Sequence, residues 1–144
     1  MKTMRNVRVV IVAERHGHWL THGDTLRLPA GHLREGESLR YALARIAREA
    51  CGAEIRVRDV AAIAEREGRR AADRCIEVYV RASILGAGKK SHVWAALDDI
   101  VGVEPHLATA LAHANGAPYL GNLRRHAEGI RTSATQRYRS KRTQ

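Results

Sequence analysis

Two glutamates and one arginine stand at a spacing that could build a site for a phosphorylated ligand. Glu37 lies before Arg45 on a glycine-rich segment, and Glu49 lies one helical turn after Arg45. Carboxylate oxygens are the ligands that Mg²⁺ prefers, and a guanidinium group pairs well with carboxylate or phosphate oxygens. The pattern therefore indicates a polar site on a loop and on the helix that follows it.

The elements that must position these groups can be read from the same stretch. Apolar residues recur at steps of three and four, which predicts a helix over 39–51. The apolar face of this helix consists of Leu39, Leu43, Ile46 and Ala50. Ser38 is suited to cap the first turn, and Gly52 is suited to end the helix in a left-handed conformation. Residues 29–31 are expected to end an extended run and to start a turn.

The segment from Gly31 to Ala53 resembles the Nudix box, the signature of Nudix hydrolases. The pattern of that box is G-x5-E-x7-R-E-U-x-E-E-x-G-U, where U is an aliphatic residue. The positions that match it are Gly31, Glu37, Arg45, Glu49 and Gly52. Ile46 and Ala50 stand where the family has glutamates that help to hold magnesium or manganese. The resemblance implies an α/β/α sandwich with a mixed central sheet, and a degenerate metal site.

The resemblance also implies roles for individual residues. Glu37 and Glu49 are the expected metal ligands, for Mg²⁺ or Mn²⁺, and the expected catalytic carboxylates. Arg45 and Gly31 are expected to contact the substrate. A structural alternative stays open, in which Glu37, Arg45 and Glu49 form an ion-pair network that fixes the loop to the helix.

Histidines and tryptophans supply further candidates. His32 follows the first box glycine and His92 precedes a tryptophan strand, so either could act as a general acid or base in a metal-independent reaction. Trp19, Tyr79 and Trp94 could stack on a base of the ligand, with core packing as the alternative for Tyr79 and Trp94. The acids Glu65, Glu67 and Asp73 fall in a predicted loop, and the hairpin histidines His16, His18 and His22 are either transition-metal ligands or parts of a polar turn.

The composition favours an anionic partner. The chain has 144 residues, with 25 Lys and Arg against 15 Asp and Glu, and a formal net charge of +10. This balance is typical of proteins that bind nucleotide-like small molecules or nucleic acid. Residues 1–120 are expected to form one Nudix-like domain. Residues 121–144 are expected to form a basic, partly disordered extension that could contact nucleic acid.

Cellular context follows from other features of the sequence. Two cysteines and an N-terminal region without a long apolar stretch predict reduced thiols in a cytoplasmic protein. No segment has the length and apolarity of a membrane span, and a homodimer is left open.

Three functions are compatible with these features. The first is hydrolysis of a phosphoanhydride in a nucleoside diphosphate derivative, with a degenerate metal site. The second is a repurposed Nudix-fold enzyme of specialised metabolism that catalyses a metal-independent elimination, cyclisation or glycosidic cleavage. The third is a non-catalytic domain that binds a nucleotide or nucleic acid.

Overall fold

A computed structural model describes residues 6–23, 25–66, 74–85, 94–103, 105–112 and 118. Within these residues the order is β1 (Val7–Val12), β2 (Glu14–Arg15), β3 (His18–Leu20), β4 (Ala30–His32), α1 (Leu39–Cys51), β5 (Glu54–Arg66), β6 (Cys75–Leu85), β7 (Trp94–Ala95), a 3₁₀ turn (Leu97–Asp99) and α2 (Pro105–Ala112). The predictions for His92, Glu67 and Asp73 and for the basic extension 121–144 lie outside the described residues.

The central sheet is mixed, as predicted. Its strand order is β4-β1-β6-β5, in which β1 runs parallel to β6 and antiparallel to β4, while β5 runs antiparallel to β6. A second sheet joins β2, β3 and β7. In the described part of the chain no helix is both long and apolar enough to cross a membrane.

The β-branched run of β1 is buried on both of its faces. Val9 and Ile11 pack in one apolar cluster with α1, whereas Val10 and Val12 pack in another cluster with α2. A continuous apolar strand needs such a covering layer on each side. The two clusters therefore account for the α/β/α arrangement.

Helix α1 begins and ends where the sequence predicts. The Ser38 hydroxyl accepts a hydrogen bond from the backbone N–H of Tyr41 at 3.1 Å. Gly52 adopts a φ of 60°, and its N–H donates to the carbonyl of Arg48. Replacing a Ser cap by Ala typically costs about 1 kcal/mol, so the cap helps to stabilise α1, which is the helix of the box.

Three local predictions were wrong. Residues 29–31 do not form a turn, because Ala30–His32 pairs with β1 as the short strand β4. The sequence predicts a strand over 54–64 with Val57 facing inward, but Val57 is exposed, since the register of β5 shifts between Val57 and Asp59 and the strand bulges there. Glu65 lies on β5 rather than in a loop, because pairing with β6 extends to the end of that strand.

Candidate functional site

The centre of the box is a buried ion pair between Arg45 and Glu37. Arg45 Nε donates to Glu37 Oε2 at 2.7 Å, and Arg45 Nη2 donates to Glu37 Oε1 at 2.9 Å. The backbone N–H of Arg34 donates to the same Oε1 at 3.0 Å. Both oxygens of Glu37 therefore accept hydrogen bonds, and its pairing with Arg45 has the bidentate geometry that gives arginine–carboxylate pairs their specificity.

This pairing keeps Glu37 ionised. The side-chain hydrogen bonds from Arg45 lower the pKa of Glu37 from 4.5 to about 2, against the opposing effect of desolvation. The same hydrogen bonds raise the pKa of Arg45. At neutral pH the pair is fully charged.

Arg45 also connects the box loop, residues 33–38 between β4 and α1, to the sheet. Its Nη2 donates to the backbone carbonyl of His32 at 2.9 Å. Since His32 is the last residue of β4, one guanidinium group on α1 holds both the loop carboxylate and the strand before the loop. The network of Glu37, Arg45 and Glu49, weighed above as a structural alternative, is therefore present in the fold.

Glu49 is the exposed member of this network. Its Oε2 lies 3.4 Å from Arg45 Nη1 and its Oε1 lies 3.7 Å from Arg34 Nη2, while 59% of its side chain is exposed. Exposed ion pairs contribute little to stability. The carboxylate of Glu49 can therefore exchange these partners for water or for a ligand.

The two box positions that lack a carboxylate serve the apolar core. Ile46 is 2% exposed, and a Cβ added to Gly31 would lie 3.0 Å from Ile46 Cγ1. Ala50 packs partly buried against the same cluster. Because Gly31 has no side chain, β4 can approach Ile46 closely.

A polar pocket of about 220 Å³ lies on the face of the sheet that α2 covers. The ionisable residues that line it are Arg8, Arg27, Glu65, Arg66, Glu77 and Tyr79. Arg27 and Arg66 are exposed, whereas Glu77 and Tyr79 are buried. The pocket therefore combines a buried polar floor with cationic groups near solvent.

Strand register places His32 beside this pocket. Arg8 on β1 is paired with His32 on β4 and with Glu77 on β6. Directly opposed residues of neighbouring strands project from the same face of a sheet. The three side chains consequently form a row across three strands, with the exposed His32 at its outer end.

Glu77 forms the buried end of that row. Arg8 Nη1 donates to Glu77 Oε2, and the hydroxyl of Tyr79 donates to Glu77 Oε1 at 3.2 Å. Burial, reinforced by the charge of Glu77, raises the pKa of Tyr79, so its phenol remains a donor at neutral pH. Neither Arg8 nor Glu77 stands out in the sequence as a candidate site residue. Their signal is a charged residue among apolar neighbours, Arg8 in β1 and Glu77 in the first half of β6.

Comparison with known proteins identifies this architecture. No family model matches the sequence, and no curated protein matches it significantly. Solved structures do match: a NUDIX hydrolase from Nitrosomonas europaea is 21% identical over 74% of this chain and 85% of its own, with a TM-score of 0.57. An ADP-ribose pyrophosphatase from Streptococcus suis is 14% identical over 81% of this chain and 98% of its own, with a TM-score of 0.61.

A third similar structure is a UDP-X diphosphatase, 14% identical over 79% of this chain and 66% of its own, with a TM-score of 0.62. The chain has the Nudix fold. This confirms the resemblance and the fold class inferred from the box. Identities of this size establish the Nudix architecture, and they leave the substrate to be argued from the site.

The box residues of this Nudix fold do not fit a resident divalent cation. Both oxygens of Glu37 are engaged, Ile46 and Ala50 have no oxygen to offer, and Glu49 stands between two guanidinium groups. Among the described residues, no group of three or more His, Cys, Asp and Glu side chains is arranged to hold a metal ion. We therefore assign no catalytic step to a metal, and the metal-ligand role of Glu37 and Glu49 stays a prediction.

The two tryptophans lie on opposite faces of the smaller sheet in this Nudix fold. Trp19 is paired with Ala95 and belongs to the cluster on the α2 side, whereas Trp94 packs against the cluster on the α1 side. The guanidinium of Arg15 lies 4.9 Å from the centre of the Trp94 ring. The two rings thus do not meet at one ligand, and their stacking role stays a prediction.

Proposed function

We propose that this protein binds a nucleoside diphosphate derivative and hydrolyses one of its phosphoanhydride bonds. The observation that carries the proposal is Glu49, an exposed carboxylate on the box helix with the guanidinium groups of Arg34 and Arg45 beside it. The net charge of +10 favours an anionic substrate. Similar structures that include an ADP-ribose pyrophosphatase and a UDP-X diphosphatase support the same reaction class.

The chemistry needs a base, a water molecule and positive charge around the phosphorus. The oxygen of the water molecule bonds to phosphorus while Glu49 accepts a proton from that water, and the bond from phosphorus to the bridging oxygen breaks. The leaving phosphate departs with the electron pair of the broken bond. Arg34 and Arg45 stabilise the charge on the non-bridging oxygens. Glu37 is a positioning residue, because it fixes the guanidinium of Arg45.

The experiment measures product formation from ADP-ribose, UDP-glucose and ATP by chromatography. It is run with EDTA and, separately, with added Mg²⁺ or Mn²⁺. A positioned acid or base contributes about 10²–10⁴-fold, so Glu49→Gln is expected to lower kcat by at least about a hundredfold. Arg48→Gln, which changes an exposed residue of the same helix, is the matched control. Wild-type turnover by Glu49→Gln, or no anhydride cleaved under any condition, contradicts the proposal.

A second candidate is nucleotide binding without turnover. It is favoured by the engagement of Glu37 with Arg45, which leaves Glu49 as the accessible carboxylate of the two matched box positions. Calorimetric binding of ADP-ribose without any product supports this candidate. Products in which the diphosphate stays intact indicate instead the repurposed acid–base enzyme, for which His32 is the described candidate.

A further inference from the structure

The pocket on the α2 face is too small to enclose a whole nucleoside diphosphate derivative. Its volume is about 220 Å³, whereas pockets for drug-sized ligands measure about 300–1,000 Å³. Its lining carries three guanidinium groups against two carboxylates. Such a pocket suits one small anionic group, with the remainder of the ligand outside.

The guanidinium of Arg8 is held in place by the buried carboxylate of Glu77. It donates to Glu77, whose other oxygen accepts the hydroxyl of Tyr79, and Glu77 is 7% exposed. Arg66 Nη1 lies farther from the same carboxylate, at 3.8 Å, so Arg8 is its nearer cationic partner. A buried carboxylate that loses such a partner is strongly destabilising, so Glu77 fixes the orientation of Arg8. The side chain of Arg8 is 27% exposed. Because a guanidinium presents five N–H donors in a rigid fork, Arg8 can hold Glu77 and a ligand together.

We propose that this pocket is an oxyanion receptor in which Arg8 binds a phosphate or carboxylate group of the ligand. Glu77 and Tyr79 are the positioning residues of Arg8, and the exposed Arg27 and Arg66 attract the anion to the mouth. The inference rests on the proposed function in taking this anionic group to belong to the same ligand. It narrows the substrate class to nucleoside diphosphate derivatives that carry a further oxyanion.

The position of β4 allows one ligand to contact both the pocket at Arg8 and the box. His32 projects beside Arg8, while its backbone carbonyl accepts from Arg45 on the other side of the strand. Neighbouring strands lie about 4.8 Å apart. A ligand with its oxyanion at Arg8 therefore reaches the box by crossing a single edge strand.

The test is binding of inorganic phosphate alone, and of acetate alone, followed by NMR chemical shifts. We expect Arg8→Gln to weaken oxyanion binding about tenfold or more, since a charge-assisted, two-pronged contact is lost. Tyr79→Phe is expected to weaken it by less. Arg56→Gln, an exposed arginine of β5 outside the pocket, is the matched control and is expected to bind as wild type.

Chemical rescue separates positioning from general stability. Added guanidinium ion is expected to restore phosphate binding to Arg8→Ala, and to fail with the double variant Arg8→Ala, Glu77→Gln, because no carboxylate then holds the added ion. Equal rescue of both variants shows that Glu77 has no positioning role and overturns that part of the proposal. Urea unfolding of each variant confirms that folded protein is compared.

The outcomes also separate this inference from the proposed hydrolysis, because the phosphate assay needs no turnover. Binding of phosphate over acetate, or the reverse, supports the receptor and identifies the group. Folded Arg8→Gln that binds both anions like wild type overturns it, whatever Glu49→Gln does to turnover. Oxyanion binding that is lost in Arg8→Gln supports the receptor even where no anhydride is cleaved.

Discussion

Arg45 donates to both carboxylate oxygens of Glu37, at 2.7 and 2.9 Å, and also to the carbonyl of His32. A single side chain thereby joins the box helix, the box loop and the edge of the central sheet. The exposed Glu49 lies 3.4 Å from the same guanidinium, and this contact lies within the helix and does not join it to the loop or the sheet. The two matched glutamates of the box therefore have different roles, with Glu37 shaping the loop and Glu49 accessible to a ligand.

The first prediction is that stability and activity divide between these two glutamates. Glu37→Gln is expected to lower the urea midpoint clearly, because Arg45 is left buried without its charged partner. Glu49→Gln is expected to change the midpoint little, since exposed pairs contribute about 0–1 kcal/mol. Urea unfolding followed by circular dichroism measures both. Equal midpoints for the two variants would argue against a structural role for Glu37.

The second prediction concerns acid. The pKa of Glu37 is lowered from 4.5 to about 2 in the folded chain, so this group binds protons more readily when the chain is unfolded. Its stabilising contribution is complete above pH 4.5 and is lost as the pH falls towards 2. The difference in urea midpoint between wild type and Glu37→Gln should therefore be constant from pH 7 to 5 and should shrink below that. A difference that grows in acid would refute this account.

The third prediction concerns the contact of Gly31 with Ile46. A Cβ at Gly31 would lie 3.0 Å from Ile46 Cγ1, so Gly31→Ala is expected to cost about 1–3 kcal/mol through overpacking. Ile46→Ala is expected to cost about 2–5 kcal/mol as a cavity in the core. The double variant should lose less than the sum of the two, because the cavity accommodates the new methyl group. Additive free energies of unfolding would show that the contact is not strained.

The fourth prediction follows from the missing carboxylates. Ala50→Glu is expected to fold, because this position is only partly buried, and to gain Mn²⁺ binding through adjacent glutamates at 49 and 50. Ile46→Glu is expected to lower the urea midpoint severely, since it buries a charge at a position that is 2% exposed. Calorimetry with Mn²⁺ and urea unfolding are the measurements. Arg40→Glu, which adds an acid to an exposed position of the same helix, should gain no binding.

Local features of the structure could be predicted, whereas pairings between distant segments could not. Helix α1 follows from its cap, its period and its terminal glycine, all of which lie within one stretch. The row of His32, Arg8 and Glu77 depends on which strands become neighbours, and Arg8 and Glu77 are 69 residues apart in sequence. The exposure of Val57 depends on a bulge that the alternation of residues does not reveal.

The same reasoning applies to the site. The ion-pair network around Arg45 could be anticipated because its members share one loop and one helix. The buried carboxylate at position 77 could not, because a charged residue in a half-apolar strand ordinarily faces solvent. The cations that make its burial tolerable come from two other strands, Arg8 on β1 and, at 3.8 Å, Arg66 on β5.

The packing of Ile46 on Gly31 has a consequence for ligand affinity. Together with the guanidinium at position 45, it gives the box loop its shape through contacts within the chain itself. A loop that is already ordered loses little conformational freedom when a ligand binds, so less of the interaction energy is spent on ordering it. Association should accordingly be fast and accompanied by little rearrangement of the loop backbone.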